Sequence, residues 1–327
     1  MARVSRRAQS GLSFPYGFND CEVLFPPKGS RDGDVVEVVR SESETRPLKC
    51  KNSDNKIIAG ERNRAIAKIV AKGASTLQNG FIRGMDFLNN VVAIDTFARY
   101  ASLKSDPNDF PLIVLFNLLN AFPSVLWDWL NKSLLAHGAG PDFAKFVASL
   151  YLNVRAFITI GGKLSFACEV TAGVLQGCPL SDTLFVVAMS PFLFDFSTTL
   201  VDRSYAVIHA CVDDLGTAVM RIDFLEQLAR VYKVMSAVAG LCLQVKKCVI
   251  VPWVPFTVGN VDIIRAWILK FLPNWSHFKI CECGEYLGFA VGPGAGVAQY
   301  SKVAAAAFAK VAAIVASAAH LSVATFS

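Results

Sequence analysis

The chain has 327 residues, 53% hydrophobic and 18% charged, with a formal net charge of +6. That much apolar material fills one large or two ordinary domains and excludes a disordered chain. Residues 1–105 hold 17 Lys and Arg against 11 Asp and Glu, while 106–327 hold 15 against 15, so the positive excess lies in the first third. A basic region beside a neutral one suits a polyanion gripped by one part and processed by another. The nine cysteines are scattered, and the four histidines at 137, 209, 277 and 320 form no group with them. This speaks against a spaced zinc motif and for a reducing, intracellular setting in nucleus or cytoplasm. The basic start "MARVSRRAQSGLSF" lacks the apolar stretch of a secretory signal.

Residues 1 to about 55 are rich in Gly, Pro, Ser and charge. "FPPKGSRDGD" reads as loop and "DVVEVV" as a short strand, with little core expected from this region. From about 56 to 105 the pattern is helical. "NKIIAGERNRAIAKIVAKG" repeats apolar residues every three or four positions and ends on Gly73, and "MDFLNNVVAIDTFARYASL" repeats the pattern. The uncharged run 111–127, "PLIVLFNLLNAFPSVLW", is broken by two Asn and a Pro, which favours a buried strand and turn over a membrane span. "LWDWLNKSLLAHG" predicts a helix closed by Gly138, "DFAKFVASLY" another, and "RAFITIGGKLSFACEV" a hairpin around Gly161 and Gly162. After the loop "TAGVLQGCPLSD", Ser181 is the expected N-cap of the apolar helix "DTLFVVAMSPFLFDF". A helix through "FLEQLARVYKVMSAVAG", the compact "LQVKKCVIVPW", a hairpin in "ICECGEYLGFAVG" and an Ala-rich tail from about 300 follow. Strands and helices interleave without a strict βαβ period, so the class is α+β.

The stretch "HACVDDLGTAV" sets Asp213 and Asp214 between two apolar runs of strand length. Unpaired buried carboxylates cost several kcal/mol, so a tight hairpin with the pair at its tip is the simplest local form. Such a pair is either solvated at a turn, matched to cations or holding a metal. Extended residues alternate faces, so the two side chains are expected to diverge and one to be the principal ligand.

"GVLQGCPLSDTLF" (173–185), "CVDDL" (211–215), "GLCLQVKKC" (240–248) and "EYLGF" (285–289) occur in an order and spacing that resembles reverse transcriptases of the non-LTR, LINE-like retrotransposon type. Upstream, "FPPKGS", "TRPLKCKNSDNKI" and "QNGFIRGMDFLNNVV" look like that family's finger segments, and the likeness runs over roughly residues 23–295. It implies a right-hand polymerase with fingers in 1–105, a palm in 106–295 with an inserted finger segment, and in 296–327 the Ala-rich start of a truncated thumb. It implies RNA-directed DNA synthesis with Mg²⁺ or Mn²⁺, an RNA template, a DNA primer and deoxynucleotide triphosphates as partners, and no membrane. Two metal ions held by carboxylates from two neighbouring strands activate the primer hydroxyl and steady the leaving pyrophosphate. By resemblance Asp213 is the hairpin's metal ligand and Asp214 its helper. Lys28 and Arg46 contact the incoming triphosphate, Phe122 excludes a ribose 2′-hydroxyl, and Gln176 and Gly177 floor the site near the templating base. Lys246 and Lys247 lie near the primer, and Tyr286, Leu287 and Gly288 resemble the primer grip. Without the family match each has a plainer reading: surface charge for the lysines and Arg46, core for Phe122 and Tyr286, a helix-entry turn for Gln176 and Gly177.

The departures bear directly on chemistry. Where the family's first catalytic aspartate opens a pattern of Asp, three residues, then Ala-Phe-Asp, this chain reads "NLLNAFP": Asn117 replaces the first Asp and Pro123 the second. A neutral amide does not bridge two cations as a carboxylate does. Forfeiting about 4 kcal/mol of transition-state stabilisation lowers a rate roughly a thousandfold. Met85 stands where the family has an arginine, and Cys211-Val212 replaces an aromatic-Ala pair. The sequence thus reads as a degenerate polymerase domain. Its rivals are a binding module that holds RNA or RNA–DNA duplex without chemistry, and a remnant with no ligand, to which the mean hydropathy of +0.42 lends weight.

Overall fold

Caps and turns set the element boundaries in the computed structural model, which describes residues 14–29, 34, 38–41, 44–82, 84–106, 108–201 and 203–316. In chain order these are β1 (Cys21–Leu24), β2 (Leu48–Lys51), α1 (Ser53–Gly73), α2 (Leu88–Lys104), β3 (Leu112–Asn117), α3 (Ala121–Ser124), α4 (Trp127–Ala136) and α5 (Pro141–Tyr151). There follow β4 (Arg155–Ile160), β5 (Lys163–Glu169), α6 (Ser181–Phe196), β6 (Ala206–Cys211), β7 (Asp214–Val219), α7 (Leu225–Ala239) and β8 (Val249–Pro252). Last come α8 (Val258–Phe271), β9 (Lys279–Ile280), β10 (Gly284–Tyr286), β11 (Phe289–Val291) and α9 (Ser301–Ala316). Two compact units emerge, one of residues 1–84, 118–195 and 231–242, the other of 85–117, 196–230 and 243–327.

In the first unit β1 lies between β2, to which it is antiparallel, and β4, to which it is parallel; β5 completes the sheet. The β4–β5 hairpin closes on Gly161 and Gly162, both at positive φ, as a two-residue loop of primed type requires. Asn52 caps α1 by accepting from the Asn55 N–H at 2.8 Å. The sheet is tied to the end of α5 by two polar side chains. Asn19 donates to the Ser149 and Leu152 carbonyls, both at 2.8 Å, and buried Lys51 donates to the Leu150 carbonyl at 2.6 Å with its ammonium 5.5 Å from the Tyr151 ring centre. A cation at a helix C-terminus meets the negative end of the dipole, which offsets part of its burial cost. Burial still lowers the Lys51 pKa to about 8.

The second unit is built on a five-stranded sheet of order β6-β7-β3-β8-β9. β3, "LIVLFN", is buried along its apolar length and antiparallel to neighbours on both edges, which satisfies its backbone groups in the absence of water. Ile113 and Leu115 face one side, where Val91 and Ile94 of α2 and the β10–β11 hairpin complete a core cluster. On the other side Phe116 packs edge-on against Trp275 and Phe278 at 5.6 and 6.2 Å.

Several expectations meet corrections. The first 55 residues contribute β1 and β2, because a parallel partner 135 residues away, Cys21 facing Ala156, completes a sheet that local pattern does not reveal. Of the strand expected in "DVVEVV", residues 35–37 lie outside the described residues, and Val38 and Val39 are not in a strand. Ser181 donates its hydroxyl to the Leu175 carbonyl at 2.7 Å instead of capping α6. The basic helix α2 falls in the second unit, drawn there by its apolar stripe. Helix α8 is an addition. The run 111–127 holds a buried strand and turn as expected, and adds the short helix α3. Among the described residues the helical stretch long and apolar enough to cross a membrane is instead Ser181–Val201, most of it buried inside the protein.

Gly173 has φ +93, and a Cβ there would lie 2.4 Å from the Pro123 carbonyl oxygen, a backbone atom that cannot step aside. Gly173→Ala should therefore cost about 3 kcal/mol in urea denaturation. Gly259→Ala, in open space on α8, should cost nothing measurable.

Candidate active site

The hairpin β6–β7 turns at Val212 and Asp213, with Cys211 paired to Asp214 across it. Val212 has φ +63, a left-handed conformation that disfavours a β-branched residue, so the turn stores strain at the point where the two carboxylates are presented. Positive φ at the first central residue alone is the type II′ pattern that suits a tight hairpin.

Register then fixes what faces what. Asn117, the last residue of β3, is paired directly with Asp214, and Asp214 with Cys211, so three side chains form one row across the sheet on the face that carries Leu115 and Gly216. Asp214, expected as the helper, is thus the strand partner of Asn117, while Asp213 occupies the turn. Burial of the surroundings, and second the neighbouring Asp213, push the Asp214 pKa up to about 6 although its side chain reaches solvent. The same burial, with both aspartates, raises the Cys211 thiol.

Asn117 is held by its backbone. Its carbonyl accepts from the Gln244 N–H at 2.8 Å, and its N–H donates to Cys248 Sγ at 3.4 Å. The Gln244 hydrogen bond ties the short turn Val245–Lys247 to the end of β3, leaving Lys246 and Lys247 exposed on it. Cys248 is buried, which pushes its thiol up to about 11 and keeps it a neutral donor and acceptor.

One row further along the strands, Gly216 leaves a hollow. A Cβ there would lie 2.7 Å from Ile94 Cδ1 and 2.9 Å from Tyr286 Cζ, so the missing side chain is what lets the Tyr286 ring lie on the sheet. Tyr286 donates its hydroxyl to the His209 carbonyl at 3.1 Å and accepts from Asn90 Nδ2 at 3.4 Å. It is 3% exposed. Leu287 and Gly288, at φ +51 and +87, form the turn of the β10–β11 hairpin that delivers it. The Tyr286 side chain is therefore spent on clamping the hairpin to the aspartate sheet, with Leu287 packed against the same core. Asn90, Gly216 and Cys248 were missed by sequence reasoning. A glycine inside a strand pattern is the signal that could have marked Gly216.

The first unit gathers a second set. An antiparallel bridge pairs Pro27 with Thr45, the Lys28 N–H donates to the Glu44 carbonyl at 2.7 Å, and the Arg46 N–H donates to the Pro26 carbonyl at 3.0 Å. Lys28 and Arg46, 18 positions apart in sequence, thereby share one face of a two-stranded ribbon, both exposed. The Gln176 carbonyl accepts from the Lys49 N–H at 3.2 Å, and Gly177, at φ +96, lies beside the same strand. Phe122 is half-buried and stacked on Phe185 at 4.5 Å, with its carbonyl accepting from the Val174 N–H at 2.8 Å.

A family model described as reverse transcriptase (RNA-dependent DNA polymerase) matches residues 35–291. Two curated proteins are similar in sequence. The Transposon TX1 uncharacterized 149 kDa protein of Xenopus laevis is 27% identical over 151 residues, 45% of this chain and 11% of that protein. The retrovirus-related Pol polyprotein from type-1 retrotransposable element R2 of Bradysia coprophila is 36% identical over 76 residues, 23% of this chain and 9% of that one. The chain thus spans about a tenth of the length of these relatives. Among solved structures, apo telomerase from Candida tropicalis truncated from its C-terminal domain matches with a TM-score of 0.57 at 11% identity, over 84% of this chain and 53% of that one. Telomerase from Candida albicans in complex with a TWJ fragment of telomeric RNA matches with 0.56 at 11%, over 89% and 47%. At such identity the likeness shows the fold alone, a palm-and-fingers polymerase architecture of mixed helices and sheets.

A carboxyl group whose folded pKa lies near 6, above its unfolded value of about 4, makes the folded state bind more protons between those limits. Its contribution therefore lowers stability as pH rises from about 4 to about 6, and the loss persists above. Asp214→Asn removes it. The melting-temperature advantage of that variant over the parent should grow across the same interval and then level off, and an advantage independent of pH would overturn the assignment.

Proposed function

The chain belongs to the reverse transcriptase (RNA-dependent DNA polymerase) family and resembles the domains of non-LTR retrotransposons, and we propose that it keeps a nucleic-acid-binding surface while its polymerisation is weak or lost. The observation that carries this is the pairing of Asn117 with Asp214. Domains of this family use divalent metal ions. The donors offered here are Asp213 and Asp214 from one hairpin and a neutral amide from the facing strand, and among the described residues no three His, Cys, Asp or Glu side chains group to hold a metal. Two ions bridged by carboxylates from both strands do not fit that set. What the residues still do is position: register holds Asn117 against Asp214, and the Tyr286 clamp fixes the sheet behind them. On this reading residues 1–105 supply the fingers and 106–295 the palm with an inserted finger segment, with an RNA template, a DNA primer and deoxynucleotide triphosphates as the natural ligands. Lys28 and Arg46 support the binding half, since two cations on one exposed face suit phosphate groups.

Primer extension on a homopolymer template, in Mg²⁺ or Mn²⁺, tests the catalytic half. Asn117→Asp should raise synthesis by on the order of a thousandfold, and Asp213→Ala should abolish it in that background. Robust synthesis by the unmodified chain, undiminished by Asp213→Ala, would overturn the site.

Charge reversal at Lys28 and Arg46 tests binding. Affinity for an RNA–DNA duplex should fall, and the slope of log affinity against log salt should flatten by about one for each phosphate no longer engaged. An unchanged slope would remove these two residues from the interface.

A further inference from the structure

The first unit contains a cavity of about 370 Å³ between the start of α4, the end of α5, the loop that follows it, and the end of β5. This is within the size range of small-ligand sites. Leu130, Val147, Val154 and Val170, all buried, give it an apolar floor. Trp127 forms a wall and is fixed in two ways. Its Nε1 donates to the Gly173 carbonyl at 2.9 Å, and its ring stacks on Tyr151 at 5.5 Å with 28° between planes.

The charge at the mouth is of one sign. Asp128 and Glu169 contribute carboxylates from different elements, both exposed, and no Lys or Arg lines the cavity. Among the described residues neither carboxylate makes an ion pair. A place in the first turn of α4 suits Asp128 to the helix dipole, but this gives no account of Glu169 at the end of a strand. Glu169 is the register partner of Arg155, whose guanidinium is already held by Asp20 at 3.0 and 2.5 Å.

The neighbouring cavity, about 490 Å³ and sharing Glu169, displays the chemistry such a lining recognises. There the Arg155 guanidinium lies 4.2 Å from the Tyr16 ring centre and pairs with Asp20, a flat cation between an aromatic face and a carboxylate. The Trp127 cavity offers the same two elements, an immobilised indole and carboxylates. We infer that it is a binding site for a small planar organic cation of the amidinium or guanidinium class, its flat body against Trp127 and the apolar floor and its N–H groups toward Asp128 and Glu169. The two carboxylates repel phosphates, so the site is distinct from any surface that holds nucleic acid.

Benzamidine is a suitable probe, with benzamide as its neutral isostere, titrated into the full chain by calorimetry. Saturable benzamidine binding is expected, at least tenfold tighter than that of benzamide. It should weaken at least tenfold in the Asp128→Asn, Glu169→Gln double variant, whose exposed substitutions leave the fold intact by circular dichroism. Equal binding of the two compounds, binding unaffected by the double substitution, or no saturable binding of benzamidine would each overturn the proposal.

Discussion

The row of Asn117, Asp214 and Cys211 follows from the way β3 is pinned between β7 and β8. Its six residues pair in unbroken register with β7, from Leu112 with Val219 to Asn117 with Asp214, while its other edge pairs with β8. A slip of one residue would exchange Ile113 and Leu115 for Val114 and Phe116 in the core cluster and lift Phe116 from Trp275 and Phe278, keeping apolar residues on both faces but losing their fit. Side-chain packing on the two faces therefore holds the register, and the register decides that an amide and a carboxylate stand side by side at the strand end. Chemistry at that position is a consequence of packing several residues away.

The support behind the row is made of residues that do no chemistry. Gly216 surrenders a side chain so that Tyr286 can lie on the sheet, Asn90 and the His209 carbonyl fix its hydroxyl, and the β10–β11 hairpin is locked in place through it. Cys248 and Gln244 hold the backbone of Asn117 from the other edge. This scaffold presents an amide, Asn117, and not a carboxylate at the end of β3. Buried glycines and hydrogen bonds contribute to folding stability whether or not catalysis persists. Asn117, Pro123, Met85 and Val212 all lie outside the core cluster packed on the sheet.

Much of the fold is written in local pattern. Periodicity gave α1, α2, α4, α5 and α7 close to their bounds, the buried run gave β3, and the apolar flanks of Asp213 and Asp214 gave the hairpin. The ordered motifs led to the family, which the match over residues 35–291 shows. These features are local: a helix stripe, a glycine turn or an amide in place of a carboxylate is written within a few adjacent positions. Other features depend on contacts between distant positions. β1 and β2 are too short to stand out until β4 supplies a partner 135 residues on. Asp214, not Asp213, is set opposite Asn117 because pairing register is a property of two strands together. Lys28 and Arg46 share a face, Tyr286 turns inward as a clamp, and Trp127 meets Glu169 across a cavity, since long-range backbone pairing and side-chain packing bring distant positions together where no window along the chain contains both.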